Sequence, residues 1–176
     1  MMAKNIYFLL SLLLISPATL WAQQNPYAKF YGTWQLVAIY QQTEDGKKQN
    51  GYGDNPTGYL NYTADGHVMT IIVKDHRKKP VSTQITSEEA LNLINSMTSY
   101  AGTYTIQGNK VVHHITVSWN QTWTGTDQIR NYEFREGFLF LSMLPYYNAV
   151  GKKTVITLQW KKLEKKRTNA YIMLKP

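Results

Sequence analysis

The chain of 176 residues contains no cysteine, only four histidines and only 11 acidic residues. Without cysteine no disulfide can staple the fold, so the domain relies on core burial and sheet hydrogen bonding. A zinc site built from so few soft ligands is not expected, and no metal or other cofactor is assigned. The sequence carries no nucleophile elbow, phosphate-binding loop, metalloprotease helix or paired buried carboxylate, which removes the common hydrolase and nucleotide-dependent classes. It also lacks an apolar run of the roughly 20 residues that a bilayer-spanning helix needs.

The longest apolar run, Ile6 to Ile15, is interrupted only by Ser11 and follows the single cation Lys4. Ser16-Pro17 ends it, and Ala22 supplies a small residue before Gln23. This is the layout of a cleavable export signal over residues 1–22. Export to the periplasm or the extracellular medium is expected, with a mature domain over 23–164 that has no transmembrane segment and a basic tail over 165–176. Removing Lys4 leaves 18 basic residues against 11 acidic, a net charge of +7. Two clusters hold much of it, Lys74 to Lys79 and Lys161 to Arg167. Neither is interleaved with base-stacking aromatics, so they read as a solvated loop and a solvated tail, and no nucleic-acid partner is assigned.

What is abundant is aromatic and β-branched sequence in short runs punctuated by glycine, asparagine and aspartate. That pattern specifies an antiparallel sheet. Gly32 to Gln41 is the first strand. Gly58 to Tyr62 and His67 to Lys74 form a hairpin around Asp65-Gly66. Ala101 to Gln107 and Lys110 to Trp119 flank Gly108-Asn109, Gln128 to Glu136 and Phe138 to Leu144 flank Gly137, and Thr154 to Leu163 comes last after a loop over 146–153. Between the third and fourth strands Thr86 and Glu89 form a capping box, and Ala90, Leu93, Ile94 and Met97 share one face of a short amphipathic helix. The fold expected is all-β: an antiparallel up-and-down barrel of about eight strands.

Alternation sorts the side chains. In the strand after Asn109, Val111, His113, Ile115, Val117 and Trp119 form the buried face, and His114 points outward. The two histidines therefore cannot chelate one metal. In the strand after Gly125, Gln128, Arg130, Tyr132 and Phe134 share a face, so Arg130 sits among aromatics. A buried guanidinium needs a partner, either a structural one or a ligand. The candidate ligand-binding residues are His113, Arg130, Tyr104, Tyr132, Trp119 and Trp123, with the two tryptophans flanking one end of the barrel and Tyr104 arriving from the preceding strand. The bland alternative is a satisfied core histidine and an arginine that closes the barrel. Trp34 reads as a structural plug. Tyr146-Tyr147 either gates the mouth or covers loop backbone.

Five ordered motifs, Gly32-Thr33-Trp34-Gln35-Leu36-Val37, Gly58 to Gly66, Tyr100-Ala101-Gly102-Thr103-Tyr104, Val112-His113-His114 and Gly125 to Arg130, resemble the bacterial and fungal lipocalin-like domain family. The resemblance spans about Tyr31 to Leu163 and implies a calycin-type β-barrel that binds a small hydrophobic or amphipathic molecule. It also implies an arginine near the last strand packed on the first-strand tryptophan. This chain has Trp160-Lys161-Lys162 there, so either a lysine or Arg130 takes that place. Two other functions stand beside ligand binding. One is a lyase, isomerase or cyclase with His113 as acid or base and Arg130 as anion holder, though no catalytic residue is assigned. The other is an envelope interaction module using the Lys74–Lys79 loop. The sequence does not define an oligomeric state.

Overall fold

The computed structural model describes residue 25 and residues 27–164. The stretch over 1–22 expected to be an export signal and the basic tail over 165–176 lie outside the described residues. Ten strands follow in chain order: β1 (Gly32–Thr43), β2 (Lys48–Gln49), β3 (Thr57–Tyr62), β4 (His67–Val73), β5 (Met97–Gln107), β6 (Lys110–Ser118), β7 (Asp127–Arg135), β8 (Phe138–Met143), β9 (Tyr146–Tyr147) and β10 (Lys153–Lys162), with helix α1 (Ser87–Asn95) between β4 and β5. Neighbours pair antiparallel around one sheet, and β1 pairs with β10 from Trp34↔Lys162 to Thr43↔Thr154. That last ladder closes an eight-stranded barrel and removes its edges. The two-residue strands β2 and β9 are appendages beside β1 and β10. The second of these falls within the stretch read from the sequence as the 146–153 loop.

Binary patterning explains most of the barrel. β3 buries Gly58, Leu60 and Tyr62, and β4 buries Val68, Thr70 and Ile72, each alternating with outward residues. Two irregularities reset the alternation elsewhere. Val37 is skipped in the β1–β10 register, so Ile39 rather than Ala38 turns inward after Leu36. Thr116 is skipped in the β5–β6 register, where Ala101 pairs with Val117 and Gly102 with Ile115. The second bulge corrects one expectation. Val117 does not share the buried face of Val111, His113 and Ile115; it is 59% exposed, because the extra residue rotates the strand end by one position. Gly102 permits that bulge. A Cβ there would stand 1.9 Å from the carbonyl oxygen of His114, so no other residue fits without moving backbone.

Helix α1 starts with the expected capping box: Thr86 accepts from the Glu89 amide, and the Glu89 carboxylate accepts from the Thr86 amide. None of its residues is fully buried, and its C-terminal end is tied to the loop before it, Arg77 donating to the Leu93 carbonyl at 3.2 Å and to the Ser96 hydroxyl at 2.9 Å. Among the described residues no helix is long and apolar enough to cross a membrane.

A 3-10 turn at Ala28–Phe30 seals one end of the barrel. Phe30 is completely buried and meets Tyr62, Tyr132 and Phe134 edge to face, with ring centroids 5.4, 4.8 and 4.9 Å away. Trp34 lies beside Phe134, and its indole N–H donates to the Phe30 carbonyl at 2.8 Å. The Lys162 ammonium sits 5.2 Å over the Trp34 ring and donates to the Lys29 carbonyl at 2.9 Å. Lys162 therefore takes the place of the expected arginine, while Arg130 lies elsewhere. A lysine suffices because a cation over an indole and one capped carbonyl need a single donor rather than a planar fork.

Candidate ligand-binding cavity

Beyond the sealed end, the interior opens into a cavity of about 260 Å³. Ile39, Leu60, Ile72, Leu141, Ile156 and Leu158 give it apolar sides, Trp160 contributes a ring, and Tyr52, Trp119 and Trp123 join the wall. Trp119 and Trp123 meet at 4.9 Å in an edge-to-face pair, and Trp123 reaches the Tyr100 ring at 5.9 Å. The short 3-10 turn Gln121–Trp123 delivers the second indole, and the Asn120 side chain caps it by accepting from the Thr122 amide. The tryptophan end thus follows from one capped connection between β6 and β7.

Arg130 is the cationic member of this wall. It lies opposite Val111 in the β6–β7 ladder and is 7% exposed. Its Nη1 donates to the Ile129 carbonyl at 2.9 Å and its Nη2 to the Gln128 side chain at 3.4 Å. Five N–H groups radiate from a guanidinium, so these two acceptors leave most of its donors unused. No aspartate or glutamate lines the cavity. Burial pulls the guanidinium below its ordinary pKa, and the nearby Tyr100 and Tyr62 phenols pull the other way. The remaining polar atoms of the wall are better served. The Tyr52 and Thr98 hydroxyls bond each other at 2.7 Å, and Thr70 donates to the Tyr59 carbonyl at 3.0 Å.

His113 is not on the cavity wall. It is wholly buried one layer beneath, opposite Gln128, between two phenols: the Tyr62 hydroxyl is 2.7 Å from Nε2 and the Tyr100 hydroxyl 2.7 Å from Nδ1. Burial, reinforced by the Arg130 charge, pushes its pKa down to about 3, so the ring is neutral. Burial also raises the Tyr100 phenol to about 12 and Tyr62 well above its ordinary value. Both phenols keep their protons. Neutral imidazole has one donor and one acceptor nitrogen, which limits the wiring. Tyr62 is fully buried, and among the described residues the acceptor within reach of its hydroxyl hydrogen is Nε2. Tyr100 lines the cavity and Tyr62 does not, so the tautomer that satisfies the deeper hydroxyl places the ring hydrogen on Nδ1, facing the Tyr100 oxygen. The hydroxyl hydrogen of Tyr100 is then left for something else.

The structure separates the six residues singled out from the sequence into two groups. Arg130, Trp119 and Trp123 line the cavity. His113, Tyr104 and Tyr132 belong to the packed layers below it. Tyr104 meets Tyr62 edge to face at 4.8 Å and donates to the Thr63 carbonyl, away from the tryptophan end where it was expected. Tyr132 packs on Phe30 and donates to the Gly108 carbonyl. These departures have one cause: alternation gives the face of a residue, and only the register gives its height along the barrel. Tyr100, Tyr52, Met143 and Trp160 line the cavity without having been singled out. Tyr100 opens the Tyr-Ala-Gly-Thr-Tyr motif on the same face as Tyr104, and that spacing was the available signal. Outside the barrel, His114 bonds Asp127 at 2.7 Å and Thr105 at 3.0 Å, a cross-strand row on an exposed surface.

No curated protein and no solved structure matches the chain. The family described as a lipocalin-like domain does match, over residues 31–163, a span that takes in every barrel strand. The closed antiparallel barrel, the first-strand tryptophan under a cation and the interior cavity accord with that match, and the chain belongs to the lipocalin-like domain family.

Proposed function

We propose that this protein is an exported binding protein that holds a small hydrophobic or amphipathic molecule inside its barrel. The observation that carries the reading is the cavity of about 260 Å³ above a core in which aromatic rings interlock with aliphatic side chains. Interior space of this size is the exception in proteins packed to crystal-like density. An apolar wall with a few convergent polar groups is the usual character of a small-molecule site. The residue pattern of the first 22 positions supports export.

His113 contributes to this reading as a support for the floor rather than as a reacting group. Both ring nitrogens are engaged by tyrosines, and burial holds the ring neutral. The test is to purify the protein from its own host, extract it with organic solvent and examine the extract by mass spectrometry, with the N-terminus sequenced in parallel. A stoichiometric apolar compound and a chain beginning near Gln23 are expected. An empty barrel whose tryptophan emission ignores a broad panel of apolar compounds overturns the binding reading, and a retained Met1 overturns the export reading.

A further inference from the structure

The polar groups left over in the cavity share one property: they are donors. Arg130 is buried with most of its N–H groups unused and has no carboxylate partner among the described residues. In the His113 tautomer argued above, the Tyr100 hydroxyl takes the Nδ1 hydrogen across 2.7 Å, and its own hydrogen then has no acceptor among the described residues. Trp160, whose ring also lines the cavity, has a buried indole N–H with no hydrogen-bond partner. Buried donors without acceptors are costly, and a buried cation without an anion more so. None of the wall hydroxyls bonds these donors: Tyr52 and Thr98 bond each other, and Thr70 donates to the Tyr59 carbonyl.

We propose that the occupant is an apolar monocarboxylate of at most about a dozen non-hydrogen atoms, its carboxylate seated between the Arg130 guanidinium and the Tyr100 hydroxyl. The proposal rests on the ligand-binding reading above and names the class of ligand. A carboxylate supplies several acceptor sites and one negative charge, which is what the floor lacks. About 260 Å³ is the share of some nine water molecules at ~30 Å³ each, and the cavity is open at its mouth, so a molecule of about a dozen non-hydrogen atoms fits with its chain end there. Its apolar body lies against Ile39, Leu158 and the two rim tryptophans. Electrostatics agree with the placement, because the Arg130 charge is felt at both Tyr100 and His113. The His113 ring fixes the direction of the Tyr100 hydroxyl by occupying its oxygen from the other side. Tyr62 fixes the tautomer that makes this so.

Three probes with the same chain and different heads test the proposal: decanoate, decanol and decylamine, titrated into the protein at neutral pH and read by tryptophan emission and calorimetry. Decanoate is expected to bind at least about tenfold more tightly than decanol, and decylamine most weakly. In Arg130→Met the advantage of decanoate over decanol should vanish while decanol binding persists. A readout on the unaltered protein guards against a variant that does not fold: decanoate affinity should fall as pH drops through the pKa of the free acid, and decanol affinity should not follow it. Equal affinities for decanoate and decanol, or a preference for decylamine, overturn the carboxylate assignment and leave the cavity reading standing. Failure of all three probes to bind overturns the cavity reading, and the assignment with it.

Discussion

At the sealed end of the barrel, Phe30, Trp34 and Phe134 interlock with Lys162 above them, and each polar atom there has a partner: the indole with Phe30, the ammonium with Lys29. At the cavity end, Trp119 and Trp123 also pair edge to face, yet they stand around empty volume, and the buried cation of that end keeps unused donors. The same residue types serve both ends. What differs is whether the space between them is filled and whether their polar groups are satisfied, and it is this difference that distinguishes a plug from a binding site.

Stability measurements sharpen the contrast. Trp34→Ala should cost about 3–5 kcal/mol, because it empties packed volume and strands the Phe30 carbonyl. Trp123→Ala should cost only about 1 kcal/mol, since that ring already borders a cavity. Denaturant midpoints of the two variants decide the matter, and equal losses would erase the distinction between the ends. The layer between them has its own signature in pH. His113 has a pKa of about 3 when folded against an ordinary 6.5, so below pH 6.5 the unfolded chain takes up a proton that the folded one refuses. Stability should therefore fall on acidification from pH 6.5 toward 3, by roughly 2 kcal/mol between pH 6.5 and 5. His113→Gln should flatten that slope, and an unchanged slope would place the proton uptake elsewhere.

Arg130→Met is expected to behave unlike a core truncation. Without ligand it should leave stability unchanged or raise it by about 1–2 kcal/mol, because an unpaired buried charge is replaced by a side chain of similar length. A loss above about 1 kcal/mol would make Arg130 a structural closure like Lys162. The smallest loss of stability expected is at Lys162→Met, about 0.5–1 kcal/mol in thermal or chemical unfolding, for one cation over an indole and one capped carbonyl.

Much of the barrel could be read from periodicity. The hairpins around Asp65-Gly66, Gly108-Asn109 and Gly137, the capped helix, and the inward faces of β3, β4 and β7 are local properties of pattern and turn chemistry. The site was legible only in part. Arg130 was recognisable as a cation on an aromatic face, and Trp123 as an aromatic in a connection. Val117 was misplaced because a single extra residue at Thr116 reverses the alternation, and no residue type announces that insertion. His113 was read as inward-facing and near Arg130, as the ladder has it, but periodicity gave no sign that His113, Tyr104 and Tyr132 pack beneath the cavity rather than line it.

The amino-acid order by itself determined the eight barrel strands, the first-strand tryptophan that closes one end and the family, since each depends on neighbours close in the chain or on motifs in fixed order. Tertiary structure alone decided that Tyr62 and Tyr100, 38 residues apart in number, clamp one histidine, and that Lys162 rather than Arg130 covers Trp34. Register and bulges set those meetings, because a strand fixes direction side by side with its partner while sequence spacing fixes only the face. The cavity is the clearest case. Empty volume belongs to no residue, and it exists only where the walls fail to meet.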